Sequence, residues 1–530
     1  MKESFLKTTT AADYCRFNLS FRLCQIAVLL FISTCMSFNP CSAYDIKNSQ
    51  LEQKYNFEQV KAFIPIIMKR NNLPSLSVAV AKNSQIIWEE AFGLANREKK
   101  IKATPHTMYS LASISKPITA TGLMVLVERG LIDLNQPINV YLEGSPLQAF
   151  EGNTQEATVK RILQHTSGLP QHWQFFFDGD SYKRPSMTET IRRFGILVFP
   201  PGERHEYSNL GYGIVEYIIE RISKKSFSEF MESEVFEPLG LKETAIFTES
   251  PKSDLTASRY IENKDSSPFY DFDHRGASAV YSSAPDLVRF GMFHLKNHLS
   301  EMEQILSDRT IDLMQTAVDT KLPNNHYKLG WDVGERYGYK VVSHGGGMPG
   351  VRTILLLLPS ENIVVAILCN GVYINLSQIY DPILSVLIPK YRERRRAPQK
   401  STASRNSDIS SLPSELIGEW IGEITTYNKN IPVKMFIQQD GSARILFLDE
   451  SNNKKMTGNP ISLLRFSNGC LEGSFDTIIP IEETGRFRSS MYLKMKFDSR
   501  KLSGYASAVS LREIASLPSY IRLSKKLENN

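Results

Sequence analysis

Ser113 and Lys116 stand three residues apart in Tyr109-Ser110-Leu111-Ala112-Ser113-Ile114-Ser115-Lys116-Pro117, where an extended segment runs into an apolar helix. Residues at i and i+3 share a helix face, so an amine can lie beside the hydroxyl. A serine hydroxyl is a weak nucleophile until a base takes its proton, and a desolvated lysine with a lowered pKa can be that base. The helix N-terminus adds a field that favours negative charge on the oxygen. Spacing alone is a weak signal: Ser4–Lys7 and Ser451–Lys454 repeat it, but neither opens an apolar helix.

Two further stretches carry usable chemistry. In Phe199-Pro200-Pro201-Gly202-Glu203-Arg204-His205-Glu206-Tyr207-Ser208-Asn209, Tyr207 is a proton carrier and Asn209 offers both a donor and an acceptor to a substrate amide. Taken alone, Tyr207 is an ordinary loop tyrosine. Ser343-His344-Gly345-Gly346-Gly347-Met348-Pro349-Gly350 leads into an apolar strand. Glycines there let backbone N–H groups approach a ligand, as an oxyanion site requires. The run also fits G-x-G-x-x-G, but no helix follows and Pro349 lacks a donor, so a dinucleotide site is excluded. No Gly-x-Ser-x-Gly occurs, and with it goes an α/β-hydrolase nucleophile elbow.

The elements that must hold these groups are mixed. Helical spacing runs over 56–69, 119–129, 159–163, 211–222 and 287–294, the last opened by Ser283-Ala284-Pro285-Asp286. Apolar runs at 76–80 and 85–92 flank Asn83-Ser84 as a hairpin, and strands are predicted at 328–333, 351–358 and 363–368. Strands at both ends with helices between them predict one antiparallel sheet, built from the termini, flanked by helices and bearing an inserted all-helical subdomain. Beyond residue 412 the pattern is short alternating strands, with Val433–Gln438 and Ala443–Leu448 around Asp440-Gly441, which fits a small antiparallel β-barrel. The predicted organisation is a signal peptide over 1–43, an α/β domain over 50–389, a basic linker over 390–412 and the β domain over 413–528.

Charge supports that division. The chain has 530 residues and a net charge of +6, yet residues 390–408 alone hold seven basic side chains against Glu393 and Asp408. The leader, with four basic residues against Glu3 and Asp13, accounts for all of the remaining excess. The folded parts are close to neutral, and the linker has neither aromatic interleaving nor a binding motif, so no nucleic-acid partner is predicted. Lys2, Lys7, Arg16 and Arg22 precede an apolar run from Leu23 to Phe38 and the small residues Cys41-Ser42-Ala43, the pattern of a secretory signal peptide. Export to the periplasm or medium is the expectation, and membrane association follows only if the leader is retained. Only Cys369 and Cys470 lie beyond the leader, too few for a disulfide framework.

In their order and context, Ser113–Lys116, Tyr207–Asn209 and His344–Gly346 resemble the three motifs of the serine β-lactamase and penicillin-binding-protein family, in its class C-related, D-aminopeptidase and esterase-like branch. The resemblance runs from about Asn56 to Asn370 and includes Leu163-Gln164-His165-Thr166-Ser167-Gly168-Leu169-Pro170 and Tyr327-Lys328-Leu329-Gly330-Trp331. It implies that Ser113 attacks an acyl carbonyl while Lys116 and Tyr207 share the base role. The N–H groups of Ser113 and Gly347 would hold the oxyanion and Asn209 the substrate amide. Neither a metal nor an organic cofactor is implied, and the substrate is a small molecule or peptide. Residues 416–525 are similar to the lipocalin-like barrels that follow this domain in some members, with a role in substrate access, assembly or apolar-ligand binding.

The pattern departs from class C β-lactamases at His344, where they carry Lys. A histidine is mostly neutral at pH 7 and cannot grip a substrate carboxylate as an ammonium does, which argues against an efficient β-lactamase. Arg352 is either a replacement cation or a solvated strand residue. Trp173, in the aromatic loop His172–Phe177, either lines an acyl pocket or packs beneath the helices. His165 is assigned to a structural turn, and His294 and His298, four apart on a helix, to a surface pair.

Overall fold

The computed structural model describes residues 55–251, 253–261, 265–372, 374–397, 412–448, 458–510, 512 and 514–526. The leader predicted over 1–43 and positions 398–411 of the predicted linker lie outside them.

Helix α1 (Glu58–Arg70) is followed by the hairpin β1 (Ser75–Lys82) and β2 (Gln85–Asn96), turning at Asn83-Ser84, and by the short β3 (Ile101–Lys102). The chain then leaves the sheet for more than two hundred residues. That insertion contains α2 (Ser115–Glu128), α3 (Asn209–Ser223), the short turn α4 (Arg275–Ser278) and α5 (Ala284–His294). It is mainly helical but carries short strands, among them β4 (Trp173–Phe177) and β5 (Tyr270–Phe272). The sheet is completed by β6 (Asp332–Arg336), β7 (Tyr339–Met348), β8 (Val351–Leu358) and β9 (Ile363–Cys369), then covered by α6 (Ser377–Leu387) and α7 (Pro389–Arg396). Strand order is β6-β7-β8-β9-β1-β2-β3, so the chain's two ends meet at β9 against β1, antiparallel in the register Val78↔Ile367. Every side chain of β9 and all but the last of β1 is buried, as expected of central strands covered on both faces. Helix α2 is buried on every side from Ser115 to Leu126, which explains why its sequence lacks a solvent-facing polar stripe.

Eight antiparallel strands, β10 (Gly418–Thr425), β11 (Asn430–Ile437), β12 (Ala443–Phe447), β13 (Asn459–Ser467), β14 (Cys470–Phe475), β15 (Ser489–Asp498), β16 (Lys501–Ser510) and β17 (Ala515–Lys525), close into a barrel through pairing of β10 with β17. Its interior is filled by side chains that include Trp420, Met435, Ile445, Leu493 and Met495, each at most 1% exposed. A filled interior is a packed core, and the apolar-ligand role raised for the barrel finds no support in it.

Four expectations change. The aromatic segment at Trp173 is a strand, β4, that pairs with β5 on one side (Phe175↔Phe272) and with β17 of the barrel on the other (Gln174↔Ala515). The strand expected at 328–333 begins only at Asp332, because Lys328 and Trp331 close a turn around Gly330, whose φ is +87°. Residues 389–396, where the linker is expected to begin, form α7: the basic side chains are exposed, while Tyr391 is buried and donates to Asp381 at 2.6 Å, and Asp381 also receives Arg336 at 2.6 Å. His294 is not on the surface. It is 1% exposed and lies 3.0 Å from the Thr121 hydroxyl, while His298 falls past the helix end near Asp308.

Candidate active site

The turn before α2 is what exposes Ser113. Tyr109–Ser110 pairs with Tyr281–Ser282, and the chain then tightens into a single 3-10 turn over Ala112–Ile114. Ala112 has φ +51°, a left-handed conformation that costs a residue with a Cβ energy and recurs at functional turns. Its neighbours Ala112 and Ile114 are buried while Ser113 remains partly open. Strand β7 closes against this turn at Gly346. A Cβ there would stand 2.1 Å from both the Leu111 carbonyl oxygen and Thr353 Oγ1, so only glycine lets the strand come so near. Thr353 seals the join by donating to Leu111 O at 2.8 Å.

One turn along α2, Lys116 is fully buried, and that burial drives its pKa well below the ordinary lysine value. Its amine reaches Asn209 Oδ1 at 2.6 Å, Ser113 Oγ at 3.2 Å and Ala277 O at 3.3 Å. Two of these partners are carbonyl oxygens, which only accept. A neutral amine must give them its two N–H groups, and its lone pair then falls to the Ser113 hydroxyl. Tyr207 packs over the same amine, 4.7 Å from nitrogen to ring centroid, with its phenol near Ser113. Burial holds the phenol protonated by raising its pKa.

The two carbonyl acceptors are themselves held. Asn209 opens α3 behind the cap Ser208, and its N–H donates to Gln171 Oε1 at 3.4 Å. Ala277 sits in α4, where Gly276 N–H donates to Glu216 at 2.9 Å and Gly276 O accepts from Thr119 at 2.7 Å. Burial raises the Glu216 carboxyl to about 7. Between the two segments lies a buried bridge: Asp273 lies 2.7 Å from His172 Nε2 through one carboxylate oxygen and 2.6 Å from His274 Nδ1 through the other. These three groups are close enough to ligate a cation. Their facing atoms are already paired as hydrogen bonds, which hold the Asp273 carboxyl far below its ordinary value against the opposing effect of burial.

A family pattern described as Beta-lactamase matches residues 60–388, well over half of the chain. The chain belongs to the β-lactamase family. Protein flp of Staphylococcus aureus (strain MW2) is 26% identical over 321 residues, 59% of this chain and 63% of that protein. A penicillin-binding protein of Bacillus subtilis (strain 168) is 28% identical over 305 residues, 53% of this chain and 64% of that one. The chain thus spans under two thirds of the length of these relatives. Among solved structures, the octameric penicillin-binding protein homologue from Pyrococcus abyssi superposes with a TM-score of 0.55 at 24% identity, over 89% of this chain and all of that one. SurE with D-Leu gives 0.57 at 18%, over 87% and 98%. A class C β-lactamase mutant gives 0.52 at 17%, over 66% and 98%. At these identities the shared feature is the fold.

Within this β-lactamase-family site, His344 differs from Lys116. It is buried, lies 2.8 Å from the Tyr327 hydroxyl through Nε2 and 2.8 Å from Gly345 O through Nδ1. The carbonyl can only accept, so Nδ1 carries the proton and Nε2 takes the tyrosine's. Burial above all lowers its pKa to about 3, so this position supplies no cation near neutral pH. Gly347 is exposed on the same strand, and Arg352 stands opposite it across β7–β8, its guanidinium 3.0 Å from where a Gly347 Cβ would be. Trp173 lies on β4. It packs with the cluster of Phe175, Tyr270 and Phe272, which also receives Met348 at the end of the glycine strand.

Sequence reasoning did not single out Tyr327, and it assigned His165 to a structural turn, where the structure has it. His165 adopts φ +58° and sits among three tyrosines, with ring centroids 4.3 Å from Tyr207 and 4.5 Å from Tyr327, and its Nδ1 accepts from Ser208 N–H at 3.2 Å. Both residues lie in stretches that carried the family resemblance, which was the signal available. His172, Asp273 and His274 had none, since the bridge spans a separation of 101 residues.

Proposed function

We propose that the protein is an exported serine hydrolase that opens an amide or ester through an acyl-enzyme on Ser113, with D-residue peptides or small carboxylic esters as substrates. The observation that carries this proposal is the amine of Lys116, held by two carbonyl oxygens so that its remaining valence meets the Ser113 hydroxyl. Neutral Lys116 takes the Ser113 proton as the oxygen attacks the substrate carbonyl. The N–H groups of Ser113 and Gly347 receive the developing oxyanion, a contribution of about 10²–10³ in rate per donor. Tyr207 passes its own proton to the departing amine or alkoxide and is restored by the proton that Lys116 took from Ser113, which leaves the amine neutral again. Asn209, whose Oδ1 serves Lys116, keeps its amide N–H groups for the substrate. Water then takes the acyl group from Ser113 with the same base.

A fluorophosphonate probe should label the wild type and fail on Ser113→Ala, which should also lose all turnover on a panel of esters, amides and β-lactams. Label that persists in the variant would remove Ser113 from the mechanism. Export is tested by N-terminal sequencing of the secreted protein. The class C β-lactamase alternative is favoured by the shared fold and opposed by the neutral His344. His344→Lys should raise turnover of a chromogenic cephalosporin, and no change would refute this account of the position.

A further inference from the structure

Glu206, the residue before Tyr207, is buried to 7% exposure, and a carboxylate is seldom buried without partners. Both of its side-chain partners come from the barrel. Lys494 on β15 donates to Oε2 at 2.6 Å, and the Tyr505 hydroxyl on β16 donates to Oε1 at 2.9 Å. Three residues upstream, Lys496 holds Glu203 at 2.6 Å. The main chain of the same segment is tied to the catalytic domain instead. Glu206 N–H donates to His165 O at 2.8 Å, and Ser208 N–H to the His165 ring. Tyr207 sits between these ties, with the His165 ring against its own.

We propose that the barrel clamps the proton-transferring tyrosine: Lys494 and Tyr505, by holding Glu206, are positioning residues that fix Tyr207 against Ser113. This rests on the role given to Tyr207 above. The barrel interior is full, so its contribution to the reaction comes from its outer face, through side chains that point at the segment 203–206. Misplacing a proton donor by about 1 Å costs up to about 10²-fold in rate.

Two probe substrates of the full-length protein separate this from a merely structural role. A 4-nitrophenyl ester has a leaving group that departs without a proton, whereas a 4-nitroanilide needs one. Lys494→Met should lower kcat for the anilide by about 10- to 100-fold with KM within about twofold, and lower kcat for the ester markedly less. Lys494→Arg should restore most of the anilide rate. In a Tyr207→Phe background, adding Lys494→Met should cost nothing more. If Lys494→Met does not fold, Tyr505→Phe removes a single hydroxyl and should show the same anilide-selective loss. Equal losses on both substrates, a change confined to KM, or an undiminished effect in the Tyr207→Phe background would each overturn the clamp. Failure of the underlying role is distinct: Tyr207→Phe alone would then leave both substrates unaffected.

Discussion

Two buried bases flank Ser113, and burial lowers the pKa of both. On one side the amine of Lys116 gives its hydrogens to Asn209 and Ala277 and turns its lone pair to the nucleophile. On the other, the two nitrogens of His344 are consumed by Tyr327 and Gly345 O. Both are buried, and what separates the two is where the unshared electron pair ends. A base is made by its other hydrogen bonds as much as by its own pKa.

The contrast is broken most severely at Lys116. Lys116→Met should lower kcat/KM by about 10³-fold or more, while His344→Gln, which keeps an acceptor for Tyr327, should cost less than about tenfold. Steady-state kinetics on one ester would settle both, and comparable losses would void the distinction. Next come the glycines of β7. Gly346→Ala drives a methyl to within 2.1 Å of backbone at the Ser113 turn and should cost about 1–3 kcal/mol of stability with most of the activity. Gly347→Ala meets only the movable end of Arg352 at 3.0 Å, and its urea midpoint should stay near that of the wild type.

A smaller effect lies in pH dependence. The folded His344 stays neutral down to about 3, whereas an unfolded histidine takes its proton near 6.5. Between those values the unfolded chain binds more protons, so this group makes stability fall as the pH is lowered through the window. Urea midpoints at pH 7 and pH 4 should therefore converge in His344→Gln relative to the wild type. The smallest expected change is at Arg352, whose guanidinium is solvent-exposed: Arg352→Ala should raise KM for carboxylate-bearing substrates by about threefold, leave kcat intact, and leave neutral esters untouched.

Much of this could be read from the chain because it is local. The hairpin at Asn83-Ser84, β8 and the helix over Val159–Leu163 follow from turn residues and hydrophobic period, and those runs are where the structure has them. The pairing of Ser113 with Lys116 is equally local, one turn of one helix. What was hidden depends on distant partners. The aromatic run at Trp173 has strand propensity but no clear alternation, and it becomes β4 because β17 and β5 offer it edges. His294 looked like a surface residue by its spacing, and it is the packing of Phe290 and Trp331 around its ring that buries it. The basic run at 389–396 is solvated as its composition suggests, but its helix is anchored by Tyr391 on the distant Asp381.

Strand β4 belongs to both domains at once, hydrogen-bonded to β5 in the catalytic domain and to β17 in the barrel. The barrel is therefore no passenger on a tether. Heat or denaturant that opens it also strips an edge from the catalytic domain, so the two should melt in a single cooperative transition. A gene truncated ahead of Leu412 would encode a catalytic domain with a raw, aromatic strand edge that invites self-association.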